Sequence, residues 1–286
     1  MERTLEVIRA AGALGAELRG IDLRRAINDK DISPLTAALT EHLVVFVRDQ
    51  DIDLEDLENL TDLLGGRDVT PYVEPVEGHP HVIRVIKEPT DVMNFANAWH
   101  TDLSYLPEPP AFTLLHARDV PDFGGDTVYA NQYMAFKTLS RGLRRTVLGL
   151  SAVHTAGTHY GTGGTLDKAA DMTSMAIRPA PEAWREQVHP VVRRHPITGD
   201  PALYVNPVYT TQFAGWTPDE SRGLLDHLFR HSSTENITFR LRWEPGTIAV
   251  WDNRCVMHNA LNDYSGVRRE AFRTSVKGTA PEPAQS

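Results

Sequence analysis

The residues best suited to chemistry lie in two places. Trp99-His100-Thr101-Asp102 sets an imidazole and a carboxylate two positions apart. In an extended strand, side chains two apart project to the same face, so His100 and Asp102 can meet one metal ion. Spacing alone carries little weight, because a chain with 12 histidines and 38 acidic residues holds about one or two His-x-acid pairs by chance. The second place is the C-terminal third. After the buried-strand pattern of 247–251 come Asp252-Asn253-Arg254, then His258, then Arg269 and Arg273. Period-two alternation sets Arg269, Ala271 and Arg273 on one face, so both guanidiniums can point into the cavity that receives His258. Two arginines following a strand-end histidine, with His-x-Asp upstream, point to one shared site.

The elements that must position these groups read as mainly β with helical additions. Short strands are expected at 43–47, 82–86, 99–103, 112–118, 151–155, 189–194, 202–205, 237–242, 247–252 and 271–277, and glycines at turn spacing suggest strands joined by tight turns in 12–23. Helices are expected at 33–42, 54–64 and 218–231, the last with Thr217, Pro218 and Glu220 as N-cap, N1 proline and N3 acid of a capping box. Many short strands at this spacing predict a jelly roll or related sandwich. The Gly-, Thr- and Ser-rich stretch 155–177 lacks clean periodicity, as functional lids do. Its Gly161-Thr162-Gly163-Gly164 lacks the lysine and spacing of a phosphate loop.

Composition narrows the function classes. A formal charge of -9 with no basic run argues against nucleic acid and against a membrane surface. No apolar stretch approaches the length of a membrane span, and 1–9 carries charges where a secretory leader needs an apolar core. Cys255 is the only cysteine, which excludes an internal disulfide and suits a reducing, cytoplasmic setting. Its expected role is a small core side chain. Residues 1–278 are expected to form one domain and 279–286 a flexible tail, with self-association left open. Of the remaining histidines only His159, beside Tyr160 in the long loop, is placed where loops contact substrates.

With these motifs in order, the sequence resembles the taurine/2-oxoglutarate dioxygenase (TauD/TfdA) family. The resemblance rests on Leu14-Gly15-Ala16-Glu17, Trp99-His100-Thr101-Asp102, Gly124-Gly125-Asp126-Thr127, His189-Pro190-Val191-Val192-Arg193, Trp251-Asp252-Asn253-Arg254 through His258, and Arg268-Arg269 through Arg273. It implies a double-stranded β-helix, the jelly-roll relative already expected. It also implies Fe(II) held by His100, Asp102 and His258, with 2-oxoglutarate and O2 as cosubstrates. Arg269 and Thr127 would hold the distal carboxylate of 2-oxoglutarate. Arg273 would lie near its C1 end and near an anionic group of the substrate. Asn253 and Asp252 would serve the turn and support the ligands, while Asn97, Tyr105, Tyr209 and His159 would contact substrate. In the taurine enzymes an asparagine stands four residues before the first ligand histidine, where this chain has Ala96. The implied activity is oxidation of a C–H bond of a small anionic molecule, with release of succinate and CO2. The ligand types by themselves also admit a zinc-dependent hydrolase or a silent metal-binding or ligand-sensing jelly roll.

Overall fold

Two apolar stretches, Val44–Val47 and Ile248–Asp252, are buried at every position. Alternation explains how. Val44, Phe46, Ala249 and Trp251 enter the core that surrounds the candidate site, whereas Val45, Val47, Ile248 and Val250 enter a second core beneath the N-terminal helices. Strands covered on both faces need no polar alternation, so they read as continuous apolar runs.

The computed structural model describes residues 5–167 and 172–285. In chain order the strands are β1 (Glu6–Arg9), β2 (Ala16–Arg19), β3 (Val44–Val47), β4 (Pro75–Val76), β5 (His79–Lys87), β6 (Phe112–Asp119), β7 (Thr127–Asn131), β8 (Ser151–Thr155) and β9 (Glu186–Pro190). They continue with β10 (Val192–Arg194), β11 (Pro201–Leu203), β12 (Thr210–Phe213), β13 (Thr238–Leu241), β14 (Ile248–Asp252), β15 (Val256–Ala260), β16 (Arg269–Val276) and β17 (Glu282–Pro283). An eight-stranded sheet runs β1-β2-β3-β14-β6-β16-β5-β4, and three-stranded sheets run β13-β7-β15, β12-β8-β9 and β11-β10-β17. Inward residues of the large sheet share one core with Tyr129, Phe239, Leu241 and Val256 of the β13-β7-β15 sheet. This is a jelly-roll core with helical additions, as expected.

Helices α1 (Leu23–Asp29), α2 (Ser33–His42) and α3 (Leu54–Leu63) cover the outer face of the large sheet through Leu23, Leu35, Leu39, Leu57 and Leu60. Helices α4 (Gln132–Thr138), α5 (Arg141–Leu148) and α7 (Pro218–His231) close a third core around Val147, Phe213, Leu225 and Leu228; between α5 and α7 lies the one-turn α6 (Gly157–Tyr160). The capping box of α7 forms as its sequence predicts, with Thr217 and Glu220 each bonding the other's backbone N–H. Among the described residues no helix is long and apolar enough to cross a membrane.

Several expectations change. Residues 99–103 are not a strand: only His100 pairs, in an isolated bridge to His258, and Leu103 takes a positive φ of 50° that turns the chain immediately after Asp102. The stretch 189–194 divides at Val191 between two sheets. The C-terminal residues expected to form a flexible tail instead supply β17, which pairs with β10, and put Ala284 into the third core. Ser286 lies outside the described residues.

At the end of β14, Asp252 is buried in a network that closes the turn to β15. Arg254 grips it with two bonds, Nε to Oδ1 at 2.8 Å and NH2 to Oδ2 at 2.6 Å, and His195 Nε2 donates to Oδ2 at 3.1 Å. Burial opposes the charge on Asp252, but the bonds from Arg254 and His195 outweigh it and bring its pKa down to about 2. A folded pKa below the unfolded value of about 3.9 gives stability that is complete above that value and lost as pH falls through the folded one. Asp252→Asn should therefore destabilise the protein by about 3 kcal/mol near neutral pH, measured by urea unfolding. The gap between wild type and variant should close between roughly pH 4 and pH 2.

Candidate active site

His258 lies in the middle of β15, a strand of its own rather than the end of the preceding one. Reciprocal backbone bonds, His100 N to His258 O at 2.9 Å and His258 N to His100 O at 2.8 Å, clamp the otherwise strandless His100 segment beside it. The two imidazole centroids are 4.1 Å apart. Asp102 then reaches in, with Oδ1 3.4 Å from His100 Nε2 and 3.9 Å from His258 Nε2. All three side chains are buried, and their ligand atoms lie within 4.8 Å of one another. Two imidazole nitrogens and a carboxylate on one face leave the other face of a metal open, the arrangement of non-haem Fe(II) oxygenases.

His100 and Asp102 are each aimed by a hydrogen bond behind them, whereas His258 Nδ1 is buried without a partner among the described residues. His100 Nδ1 lies 2.7 Å from the carbonyl of Ala98; a carbonyl only accepts, so Nδ1 carries the proton and Nε2 keeps its lone pair. Thr113 Oγ1 donates to Asp102 Oδ2 at 2.7 Å, Asn253 Nδ2 donates to Thr113 at 2.8 Å, and Trp251 Nε1 donates to Asn253 Oδ1 at 3.1 Å. This relay leaves Oδ1 for the metal. Burial disfavours the Asp102 charge, but Arg273, His258 and His100 prevail and hold the carboxyl well below its ordinary range. Burial, with His100 second, keeps His258 well below the ordinary imidazole value, in the neutral form that binds metals.

Two cavities meet at these ligands. The larger, about 560 Å³, has His100, Asp102 and Arg273 among its lining. The narrower is lined by His100, Asp102 and His258 together with Thr127, Arg269 and Arg273. Alternation along β16 does what the sequence predicts, burying Arg269, Ala271 and Arg273 together. Arg269 makes no ion pair among the described residues, and its buried Nε has no partner. Burial lowers its pKa, with only Tyr264, Tyr129 and Asp126 acting the other way. Such a cation fits a carboxylate ligand. Thr127 Oγ1 accepts from Trp243 Nε1 at 2.9 Å, so its own hydrogen is available to that ligand. Arg273 NH2 stands 3.2 Å from Asp102 Oδ1 and is shared by both cavities.

Of the residues expected to contact substrate, Asn97, His159 and Tyr209 line the larger cavity. Asn97 is exposed and belongs to the rim. His159 Nδ1 is 3.0 Å from Thr165 Oγ1, and Tyr209 meets His100 edge-on at 6.3 Å. Tyr105 does not line the cavity: its ring packs against Tyr209 at 4.8 Å, behind the wall that Tyr209 presents. The stretch 155–177 contributes His159, Tyr160, Thr165, Leu166 and Met172 to the same cavity; of the lid expected there, residues 168–171 lie outside the described residues.

Sequence reasoning missed Thr113 and Trp243. Thr113 had a legible signal, since alternation in 112–118 places it inward with Leu115 and Ala117, and a buried hydroxyl must find a partner. Trp243 had none, because its contact with Thr127 is 116 residues away in sequence. A second buried group, His195, Asp252 and Cys255, is structural. Arg254 and His195 already occupy Asp252, the backbone N–H groups of Ile197 and Thr198 donate to His195 Nδ1, and burial raises the Cys255 thiol well above its usual range.

The sequence profile of the Taurine catabolism dioxygenase TauD, TfdA family matches residues 6–275. The chain belongs to the TauD/TfdA family. It is 32% identical over 284 residues to an alpha-ketoglutarate-dependent sulfate ester dioxygenase of Pseudomonas putida, covering 97% of this chain and 91% of the relative. It is 28% identical to an alpha-ketoglutarate-dependent sulfonate dioxygenase of Saccharomyces cerevisiae, covering 97% of this chain and 68% of that one. The crystal structure of a taurine dioxygenase from Burkholderia xenovorans superposes with a TM-score of 0.79 at 32% identity, covering 97% of this chain and 90% of that chain. This TauD/TfdA protein is accordingly a non-haem Fe(II)- and 2-oxoglutarate-dependent dioxygenase, which sets aside the hydrolase and silent-binder readings. Its donor set and its unpaired Arg269 fit the metal and the keto acid respectively.

Thr113→Val keeps the shape of the side chain and removes the donor behind Asp102. Iron affinity should fall about 10- to 100-fold while the unfolding midpoint moves little, measured by competition with a chromophoric chelator and by thermal melts.

Proposed function

We propose that His100, Asp102 and His258 hold Fe(II), that Arg269 and Thr127 take the distal carboxylate of 2-oxoglutarate, and that Arg273 receives the anionic head of a sulfate ester or sulfonate. The observation that carries this reading is the buried Arg269, without an acidic partner among the described residues, in the cavity that the three candidate ligand residues also line. The zinc-hydrolase reading leaves this cation, Thr127 beside it and Arg273 unexplained.

When bound, iron and 2-oxoglutarate supply the oxidising chemistry: O2 and the keto acid become succinate and CO2, and one substrate C–H becomes C–OH. The protein's own residues bind, aim and enclose. Arg269 and Thr127 set the far end of the keto acid, and the Trp251–Asn253–Thr113 relay keeps one Asp102 oxygen turned to the metal. Charge counting supports an anionic substrate. Fe(II), Asp102, the 2-oxoglutarate dianion and Arg269 balance, so Arg273 leaves a positive surplus in a largely water-excluded cavity. The activities of the two relatives, on a sulfate ester and on sulfonates, support that kind of head group. When the carbon oxidised bears the sulfate oxygen, the resulting carbinol loses sulfate and its hydroxyl proton to leave an aldehyde.

Anaerobic addition of Fe(II) and 2-oxoglutarate should give the weak visible charge-transfer band of a chelated keto acid, and alanine at His100, Asp102 or His258 should abolish it. An unchanged spectrum in any of these variants removes that residue from the site. Arg269→Ala should weaken 2-oxoglutarate binding by roughly 2–4 kcal/mol, seen as a steep rise in the cosubstrate KM while iron affinity stays within a few-fold. Normal 2-oxoglutarate affinity in that variant overturns the Arg269 assignment.

A further inference from the structure

Between β5 and His100 the chain forms no strand or helix, yet it walls both cavities: Met93, Asn94 and Ala98 line the larger one, and Phe95 and Ala96 line both. Backbone without ladder partners has to be fixed by side chains. One fixing faces the end of β15, where Asn94 Nδ2 donates to the carbonyls of Ala260 and Leu261 at 3.3 and 3.0 Å. The other is Asp91, a carboxylate only 4% exposed. Its Oδ1 accepts from the backbone N–H and the hydroxyl of Thr173 at 2.8 and 3.0 Å, and its Oδ2 accepts from the N–H of Glu88 at 3.0 Å.

Thr173 stands 82 positions from Asp91 and directly follows Met172, a buried residue of the larger cavity's wall. The strap that carries Met172 is also held further along, where Ile86 N donates to Met175 Sδ at 3.3 Å and Glu74 N to Ala176 O at 2.8 Å. None of those four residues lines the larger cavity, so of these contacts only that of Asp91 adjoins it. Donors on both sides of Asp91 require an acceptor at both oxygens, which a carboxylate provides and an amide does not. Burial opposes the charge, but donors from Ser174, Thr173 and Glu88 outweigh it and lower the pKa of Asp91. Charge-assisted hydrogen bonds are strong and directional, so this carboxylate fixes where Thr173 sits.

Resting on the oxygenase reading above, we propose that Asp91 is a positioning residue that latches the larger cavity shut. Through Thr173 it ties Met172 to the segment that carries Met93 through Ala96, so that a substrate is gripped beside the metal position and water is kept away from it. The narrower cavity takes no residue from 172–176. The latch therefore acts on substrate binding and leaves the keto acid and metal positions as they are.

Hydrogen exchange on the protein loaded with Fe(II) and 2-oxoglutarate, without O2, reads the latch directly. Asp91→Asn keeps the shape of the side chain, and exchange over 172–177 and 88–95 should quicken by about tenfold or more, as loss of a charge-assisted hydrogen bond predicts. Exchange in β14 and β15 should stay as in wild type. Thr173→Val removes only the hydroxyl donor, at an exposed position; it should act in the same direction more weakly and add nothing to Asp91→Asn in the double variant. Under O2, with hexyl sulfate and hexanesulfonate as probes, the substrate KM in Asp91→Asn should rise about tenfold while the KM for 2-oxoglutarate stays as in wild type. Unchanged exchange over 172–177, a rise spread evenly along the chain, or probe and 2-oxoglutarate KM values that rise together overturns the latch. If Asp91→Asn does not fold, Thr173→Val decides by the same exchange measurement, and if neither probe is turned over, exchange decides alone. Substrate-free succinate formation by wild type separates the two readings: its absence overturns the oxygenase reading, and exchange still judges whether Asp91 holds the strap.

Discussion

A guanidinium does not lose its proton inside a protein, so Arg269 and Arg273 must find negative charge wherever β16 carries them. Alternation with the buried Ala271 carries them into the core. Arg273 finds part of its partner in Asp102 at 3.2 Å, and Arg269 finds none among the described residues. The interior around them is therefore built to be completed by ligands. In the function proposed above, a dianionic keto acid answers one arginine and an anionic substrate answers the other. The same strand that closes the hydrophobic core thus also sets the charge that the site must receive.

The three candidate metal ligands meet that charge from segments far apart in the chain. His258 is fixed by β15, which pairs with β7 along five residues. His100 has no such strand and depends on one reciprocal backbone bridge to His258. Asp102 depends on the turn at Leu103 and on a hydroxyl from β6. Holding a metal needs ligands fixed to within a fraction of an ångström, and that demands packing and hydrogen bonds behind each of them. The relay from Trp251 through Asn253 and Thr113 provides this for Asp102. It begins in β14, the strand buried on both faces, so the rigidity of the helix-backed sheet reaches the metal position.

The cavities take their walls from the same packing. At one side of the ligands Tyr105 meets Tyr209 edge-on and lies tilted against Tyr160, and burial raises the pKa of all three hydroxyls, keeping them neutral. Apolar and neutral walls around a small cluster of charges strengthen each electrostatic contact inside. Among the described lining residues, Asp102 and Arg273 carry the formal charges of the larger cavity, both beside the metal position.

Local pattern was enough to place much of this in the sequence. Capping residues marked the start of α7, continuous apolar runs marked β3 and β14, and period-two alternation put Arg269 and Arg273 on one inward face, because these signals depend only on near neighbours in the chain. Motif order then named His100, Asp102 and His258. What the tertiary structure decided are the contacts between distant segments. The bridge from His100 to His258, the hydroxyl of Thr113 behind Asp102 and the indole of Trp243 behind Thr127 each join residues more than 10 positions apart. The turn that replaces the expected strand after His100, and the docking of β17 where a flexible tail was expected, belong to the same class. Nothing in the local sequence specifies them, because their free energy comes from partners that only the folded chain brings within reach.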